Sequence, residues 1–179
     1  YGCSDLTSVD LSSLTTLNGS SVMNSCFGSC SNLTSVDLSS LTTVSGSSAM
    51  GYCFQSCTNL TSVDFPSLTT ISGSSAMSNC FYYCTNLTSV EFPSLTTISG
   101  YGAMSTCFYN CTNLTELRFP ALQSFGTSYT NQFDYMLESV TGCTLHFPSN
   151  MRSAVEGLRG YPNFSGKNTV VLFDLPPTA

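Results

Sequence analysis

Cysteine recurs along this chain at a fixed step of 27 residues, in two columns. One column is Cys3, Cys30, Cys57, Cys84 and Cys111, and the other is Cys26, Cys53, Cys80 and Cys107. Apolar residues keep the same step. Leu6, Leu33, Leu60, Leu87 and Leu114 form one register, and Val9, Val36, Val63, Val90 and Leu117 the next. Leu11, Leu38, Phe65, Phe92 and Phe119 follow, then Leu14, Leu41, Leu68, Leu95 and Leu122, then Leu17, Val44, Ile71, Ile98 and Phe125. So many columns on one period define a repeat architecture. A single coil of this length cannot bury its own apolar face, so the coils must stack and draw their stability from their neighbours.

One unit reads Cys57-Thr-Asn-Leu60-Thr-Ser-Val63-Asp-Phe65-Pro-Ser-Leu68-Thr-Thr-Ile71. The spacing Leu60-x-x-Val63-x-Phe65 is the leucine-rich-repeat core pattern. Val63 and Phe65 alternate with Ser62 and Asp64, which predicts a strand with one buried face. Leu68 and Ile71 turn inward after a bend at Pro66. Gly73 and the serines after it make a turn. Met77 and Phe81 then return apolar bulk to the core.

The segment Cys80-Phe81-Tyr-Tyr-Cys84-Thr-Asn-Leu87-Thr-Ser-Val90-Glu-Phe92-Pro-Ser-Leu95-Thr-Thr-Ile98 resembles the BspA-type leucine-rich repeat of bacterial surface proteins. The resemblance covers about residues 1–148. The unit departs from the family pattern by an inserted Gly-Ser-Ser stretch and a second cysteine. The resemblance implies a surface or secreted protein of adhesin type, and it carries no catalytic residue.

The period breaks after Phe125. Leu145-His-Phe-Pro148 matches Leu117-Arg-Phe-Pro120 only with a shift of 28, which sets Tyr135 and Ser139 in the cysteine positions. A helix is predicted from Pro148-Ser149-Asn150, with Ser149 or Asn150 as N-cap and with Met151, Val155 and Leu158 on one face. Gly160 and Pro162 are expected to stop it. Asn168–Phe173 reads as a last strand. The expected architecture is one continuous right-handed leucine-rich-repeat solenoid, mostly strand and irregular coil. Residues 1–148 are its repeats and 149–179 a helix-plus-strand cap. A sheet lines one side, with irregular turns or short helical segments on the other. Tyr1-Gly2-Cys3 reads as the tail of a repeat, so the segment is expected to be mature or trimmed. Pro176-Pro177 reads as an exit into a linker or the C-terminus.

Charge narrows the partners. Only 8% of residues are charged, against roughly a quarter in ordinary domains. All the positive residues, Arg118, Arg152, Arg159 and Lys167, lie in the C-terminal part, and the formal net charge is -6. Such a surface cannot neutralise phosphates, so nucleic acid is not expected as a partner. Anionic lipid is disfavoured for the same reason. No apolar run approaches the roughly 20 residues of a membrane helix, and no signal peptide is visible.

Most of the apparent chemistry has an architectural reading. The Cys-Phe-x-x-Cys pairs read as a ladder of reduced thiols acting as small core residues. Disulfides within or between coils are the alternative, and zinc a weaker one, because a lone histidine offers no mixed site. Asn32, Asn59, Asn86 and Asn113 each precede Leu-Thr and fit a glycosylation sequon. As a stacked column they are expected instead to bond backbone groups in the turns and to satisfy buried polar atoms. No cofactor or metal is expected.

The candidate binding residues are on the outside. Asp10, Asp37, Asp64 and Glu91 form one outward column on the strands, continued by Arg118 and His146, with Glu116 beside Arg118. Like charges one strand apart repel, by about 0.8 kcal/mol at about 5 Å in water and more at lower dielectric. A ladder kept at that cost serves a cation, a basic partner or sugar hydroxyls, or else it is a solvated edge in a chain poor in charge. Tyr82, Tyr83 and Tyr109, with Tyr101, cluster over adjacent coils and suit protein or sugar contact or ordinary packing. No nucleophile stands beside a base, so catalysis is not expected. The expected function is a ligand-binding or adhesion module, exposed on a bacterial cell surface or secreted, that contacts protein or glycan through the sheet face. The alternative is a structural spacer without a ligand, favoured by the near identity of Ser35/Asp37, Ser62/Asp64 and Ser89/Glu91.

Overall fold

The computed structural model describes residues 2–126 and 131–177. The chain is a parallel β-solenoid in which each coil has three walls. The first wall carries the strands β1 (Ser8–Asp10), β3 (Ser35–Asp37), β5 (Ser62–Asp64), β7 (Ser89–Glu91) and β9 (Glu116–Arg118). It continues through β10 (Thr144–Pro148) and β11 (Val170–Leu175). The second wall carries β2 (Thr16–Leu17), β4 (Thr43–Val44), β6 (Thr70–Ile71) and β8 (Thr97–Ile98). All pairings are parallel, and the register follows the sequence period: Val63 pairs with Val90, and Ile71 with Ile98.

The second wall is a sheet in its own right, ordered β2-β4-β6-β8. Its outward threonines add a further layer of bonds. The hydroxyls of Thr42, Thr69 and Thr96 donate to the carbonyls of Thr15, Thr42 and Thr69 in the preceding coil.

The third wall has no helix and is not irregular. Hydrogen-bonded turns overlap along each coil: Asn24 N–H donates to Ser21 carbonyl, Cys26 to Met23, Gly28 to Ser25 and Cys30 to Phe27. The intervening N–H groups reach the next coil instead, Ser21 to Ser47, Met23 to Ala49, Ser25 to Gly51 and Phe27 to Cys53. Backbone polar groups are therefore satisfied alternately within a coil and between coils, which lets a wall without strands be packed against a dry core. The turns require left-handed residues. Ser75, Asn79 and Tyr83 have φ of 54°, 57° and 62° in the third coil, and the neighbouring coils repeat the positions.

The core is columnar. Phe27, Phe54, Phe81 and Phe108 stack at 5.5–5.6 Å beneath the turn wall. Phe65, Phe92, Phe119 and Phe147 stack at 5.1–5.2 Å beneath the first wall. Cys30, Cys53, Cys57, Cys80, Cys84, Cys107, Cys111 and Cys143 are buried, Cys3 and Cys26 are exposed, and no disulfide joins any of them. The second cysteine of three of the pairs also has a polar task. Cys57, Cys84 and Cys111 donate S–H to the carbonyls of Phe27, Phe54 and Phe81 at 3.0–3.1 Å. The ladder is thus reduced, and a small apolar group with a weak donor fits its position.

Three sequence expectations need correction at the C-terminal end. First, Tyr135 and Ser139 do not replace the cysteines. They hold the left-handed positions of Thr106 and Asn110, a step of 29. Met136 and Val140 fill the cysteine columns and are fully buried, whereas Tyr135 is 47% exposed. The strand step is 28, with Thr144 opposite Glu116, so the last coil gains two residues on the turn wall and loses one before β10. Cys143, just before β10, is fully buried. Second, neither Ser149 nor Asn150 caps a helix with its side chain. A 3-10 turn (Ser149–Met151) follows Pro148 and leads into α1 (Arg152–Glu156). Third, α1 ends at Gly157, earlier than Gly160. Met151, Val155 and Leu158 are buried, as their spacing requires. Among the described residues no helix is long and apolar enough to cross a membrane.

Candidate functional site

The outward face of the first wall is where the candidate side chains gather. Strand alternation turns Val9, Val36, Val63 and Val90 inward and leaves Asp10, Asp37, Asp64 and Glu91 exposed. Asp10 sits opposite Asp37, and Asp64 opposite Glu91. The column continues from Glu91 to Arg118 and from Arg118 to His146.

The column is not uniform. In the first two coils a serine follows the strand by two residues, and its backbone N–H donates to the acid: Ser12 to Asp10 and Ser39 to Asp37, each at 2.9 Å. The Ser12 hydroxyl and N–H hold the Asp10 carboxyl below its ordinary value. In the third coil Pro66 replaces that serine and has no N–H to give. The wall also opens at this point. β1 and β3 form one sheet and β5, β7, β9, β10 and β11 another, with no ladder between β3 and β5. The opening coincides with the change from Leu38-Ser39 to Phe65-Pro66. A groove of about 500 Å³ lies over it, with Asp10, Asp37 and Asp64 on its rim and Val9, Val36 and Leu38 in its floor.

At the other end the acids acquire partners. Arg118 Nη1 bonds Glu116 at 2.8 Å and its Nε lies 3.7 Å from Glu91. Glu116 keeps the Arg118 guanidinium above its ordinary value. His146 lies between two carboxylates, with Nε2 at 3.2 Å from Glu116 and Nδ1 at 3.0 Å from Asp174. Both ring nitrogens are therefore engaged, and neither faces a hydroxyl or thiol as a catalytic base would. Asp174 was not legible as a member of the column, because the register slips between His146 and Pro148 and sets Leu172 opposite His146.

The tyrosines belong to a different wall. Tyr82, Tyr83 and Tyr109 touch one another on the turn wall, with ring centroids 4.7–5.7 Å apart, and Tyr52 joins them at 6.3 Å from Tyr82. Tyr52 went unnoticed because it lies a full coil before the others. Tyr101 is 55% exposed. The asparagine column differs from expectation. Asn32, Asn59, Asn86 and Asn113 are exposed, and the amides of Asn59 and Asn113 donate to the side chains of Asn32 and Asn86 at 3.3 and 3.4 Å, side chain to side chain on the surface. Among the described residues no group of three or more His, Cys, Asp or Glu could hold a metal ion.

A family model for the BspA type leucine-rich repeat region matches six copies, over residues 1–101 and 77–153. The chain belongs to the BspA-type leucine-rich repeat family. The BspA-type family is associated with bacterial surface proteins, and leucine-rich repeats are in general protein-interaction modules. No curated protein and no solved structure matches the chain.

Proposed function

We propose that this chain is a ligand-binding or adhesion module of a bacterial cell-surface or secreted protein, and that it contacts protein or glycan through the outward face of the first wall. The observation that carries the reading is the groove over β1, β3 and β5, where three carboxylates share a rim above an apolar floor. Asp64 is the best placed of them. It is exposed and, among the described residues, no hydrogen bond or ion pair engages its carboxylate, whereas Asp10 and Asp37 each accept from their own backbone. The sign change at Arg118 gives the face two electrostatic regions, which suits an oriented partner.

A second reading is a structural spacer. The outward pairs Ser35/Asp37, Ser62/Asp64 and Ser89/Glu91 are nearly identical, as expected where no ligand selects for variety. Arrays of host proteins and of glycans, probed with the chain and with the Asp37→Asn/Asp64→Asn variant, separate the two. Signals that the variant loses support the first-wall site. Silence on both arrays, with circular dichroism showing a folded chain, establishes the spacer.

A further inference from the structure

The tyrosines of the turn wall stand where their backbone disfavours them. Tyr52 and Tyr83 have φ of 54° and 62°, in the left-handed region that small polar residues tolerate and bulky ones rarely adopt. The equivalent positions hold Ser25, Asn79, Thr106 and Tyr135 for Tyr52, and Ser29, Ser56, Asn110 and Ser139 for Tyr83. Burial does not offset the strain, since Tyr52 is 39% exposed and Tyr83 40%. Tyr82 and Tyr109, with which they pack, occupy a column that begins with Gly28 and Gln55. The repeat therefore offers compatible residues at each of these positions, and the second, third and fourth coils depart from them to assemble an exposed aromatic cluster. Backbone strain held at exposed aromatic side chains is a mark of function.

The ring geometry selects the kind of ligand. Tyr82 and Tyr109 lie face to face at 4.7 Å and 15°, and Tyr83 stacks on Tyr109 at 5.7 Å and 29°. One face of each ring in the Tyr82–Tyr109 pair is covered by the other, which leaves less open face in the cluster and keeps its hydroxyls at the surface. A pyranose needs an open ring face to stack on, which stacking of the rings on one another reduces. A protein surface uses what remains, aromatic bulk with a hydrogen-bonding rim. Charge sets the sign of the partner. Glu138 succeeds Tyr109 in the same column and acts on Tyr82, and the chain has no Lys or Arg before Arg118.

We propose that Tyr52, Tyr82, Tyr83 and Tyr109 form a second docking surface, separate from the first-wall groove, for a basic protein segment. The test is selection of a random-peptide library displayed on phage against the full chain, with counter-selection on the Tyr82→Gln/Tyr83→Asn variant. Both replacements are residues that neighbouring coils hold at these positions, Gln55 and Asn110. The surviving peptides should be rich in Arg and Lys, bind the tyrosine variant about tenfold more weakly or worse, and bind Asp37→Asn/Asp64→Asn unchanged. The melting temperature of Tyr83→Asn should equal or exceed that of the parent. The proposal is overturned if no peptide discriminates, or if the discriminating peptides are neutral or acidic. Tyrosine-dependent binding confined to a glycan array overturns it too, and so does a lowered melting temperature for Tyr83→Asn, which would assign the ring to packing.

Discussion

A β-carbon on Gly73 would stand 2.2 Å from the carbonyl oxygen of Gly46 in the coil before it. Gly46 and Gly100 meet their predecessors in the same way, at 2.0 and 2.1 Å. Backbone rests on backbone at this corner, and no flexible side chain is present to give way. Gly73→Ala should therefore cost about 3 kcal/mol or more. Gly19→Ala is the internal control, because there the added carbon meets only the Val22 side chain, which can turn aside. Chemical denaturation of both variants measures the difference, and equal losses would refute the backbone explanation.

The cysteine ladder should be chemically silent in the folded chain. Burial pushes the Cys57 and Cys143 thiols up to about 12, and drives the thiols of Cys53, Cys80, Cys84, Cys107 and Cys111 up as well. The thiolate is the reactive form, so at neutral pH a disulfide reagent should modify Cys3 and Cys26 quickly and the buried thiols only on unfolding. Mass spectrometry of the labelled native chain reads this directly. Rapid labelling of Cys84 or Cys107 would contradict it.

Phe81 lies between Phe54 and Phe108, whereas Phe27 ends its stack and is only partly buried. Phe81→Ala should cost about 3–5 kcal/mol. Phe27→Ala should cost clearly less, since it opens no enclosed cavity. Thermal melts of the two variants rank them.

The contact between His146 and Asp174 ties β11 to the repeats and leaves a pH signature. His146 holds the Asp174 carboxyl below its ordinary value of 3.8. A depressed carboxylate contributes stability that is complete above that value and is lost as pH falls through the lower, folded-state value. Asp174 is exposed, so the contribution should stay below about 1 kcal/mol. Asp174→Asn should lower the melting temperature slightly at neutral pH, and the gap to the parent should close in acid. A gap that persists at the acid end would show that the loss is not electrostatic.

The inward half of this molecule was legible because burial repeats. Leucine, valine and phenylalanine at one step can only be stacked core, and Met151, Val155 and Leu158 showed which face of the cap is buried. The second sheet was hidden because β4 or β6 spans two residues, too few for alternation to register. The turn wall was hidden for another reason. Its left-handed positions are held by Ser, Asn, Thr and Tyr, none of which announces a positive φ as glycine does. The shift in the last coil misled because an offset measured on the strand was carried to a wall where the insertion differs. On the outer face the acids could be placed by alternation alone. The partner of His146 could not, because it depends on a slip in register between β10 and β11.

The two phenylalanine stacks mark two different walls. Rings under the first wall are 5.1–5.2 Å apart and those under the turn wall 5.5–5.6 Å apart. The acidic residues line the outside of the first wall and the tyrosines the outside of the turn wall, so the two sets lie on different faces of the solenoid. Under the two proposals, partners of the two walls would therefore not compete for the same surface.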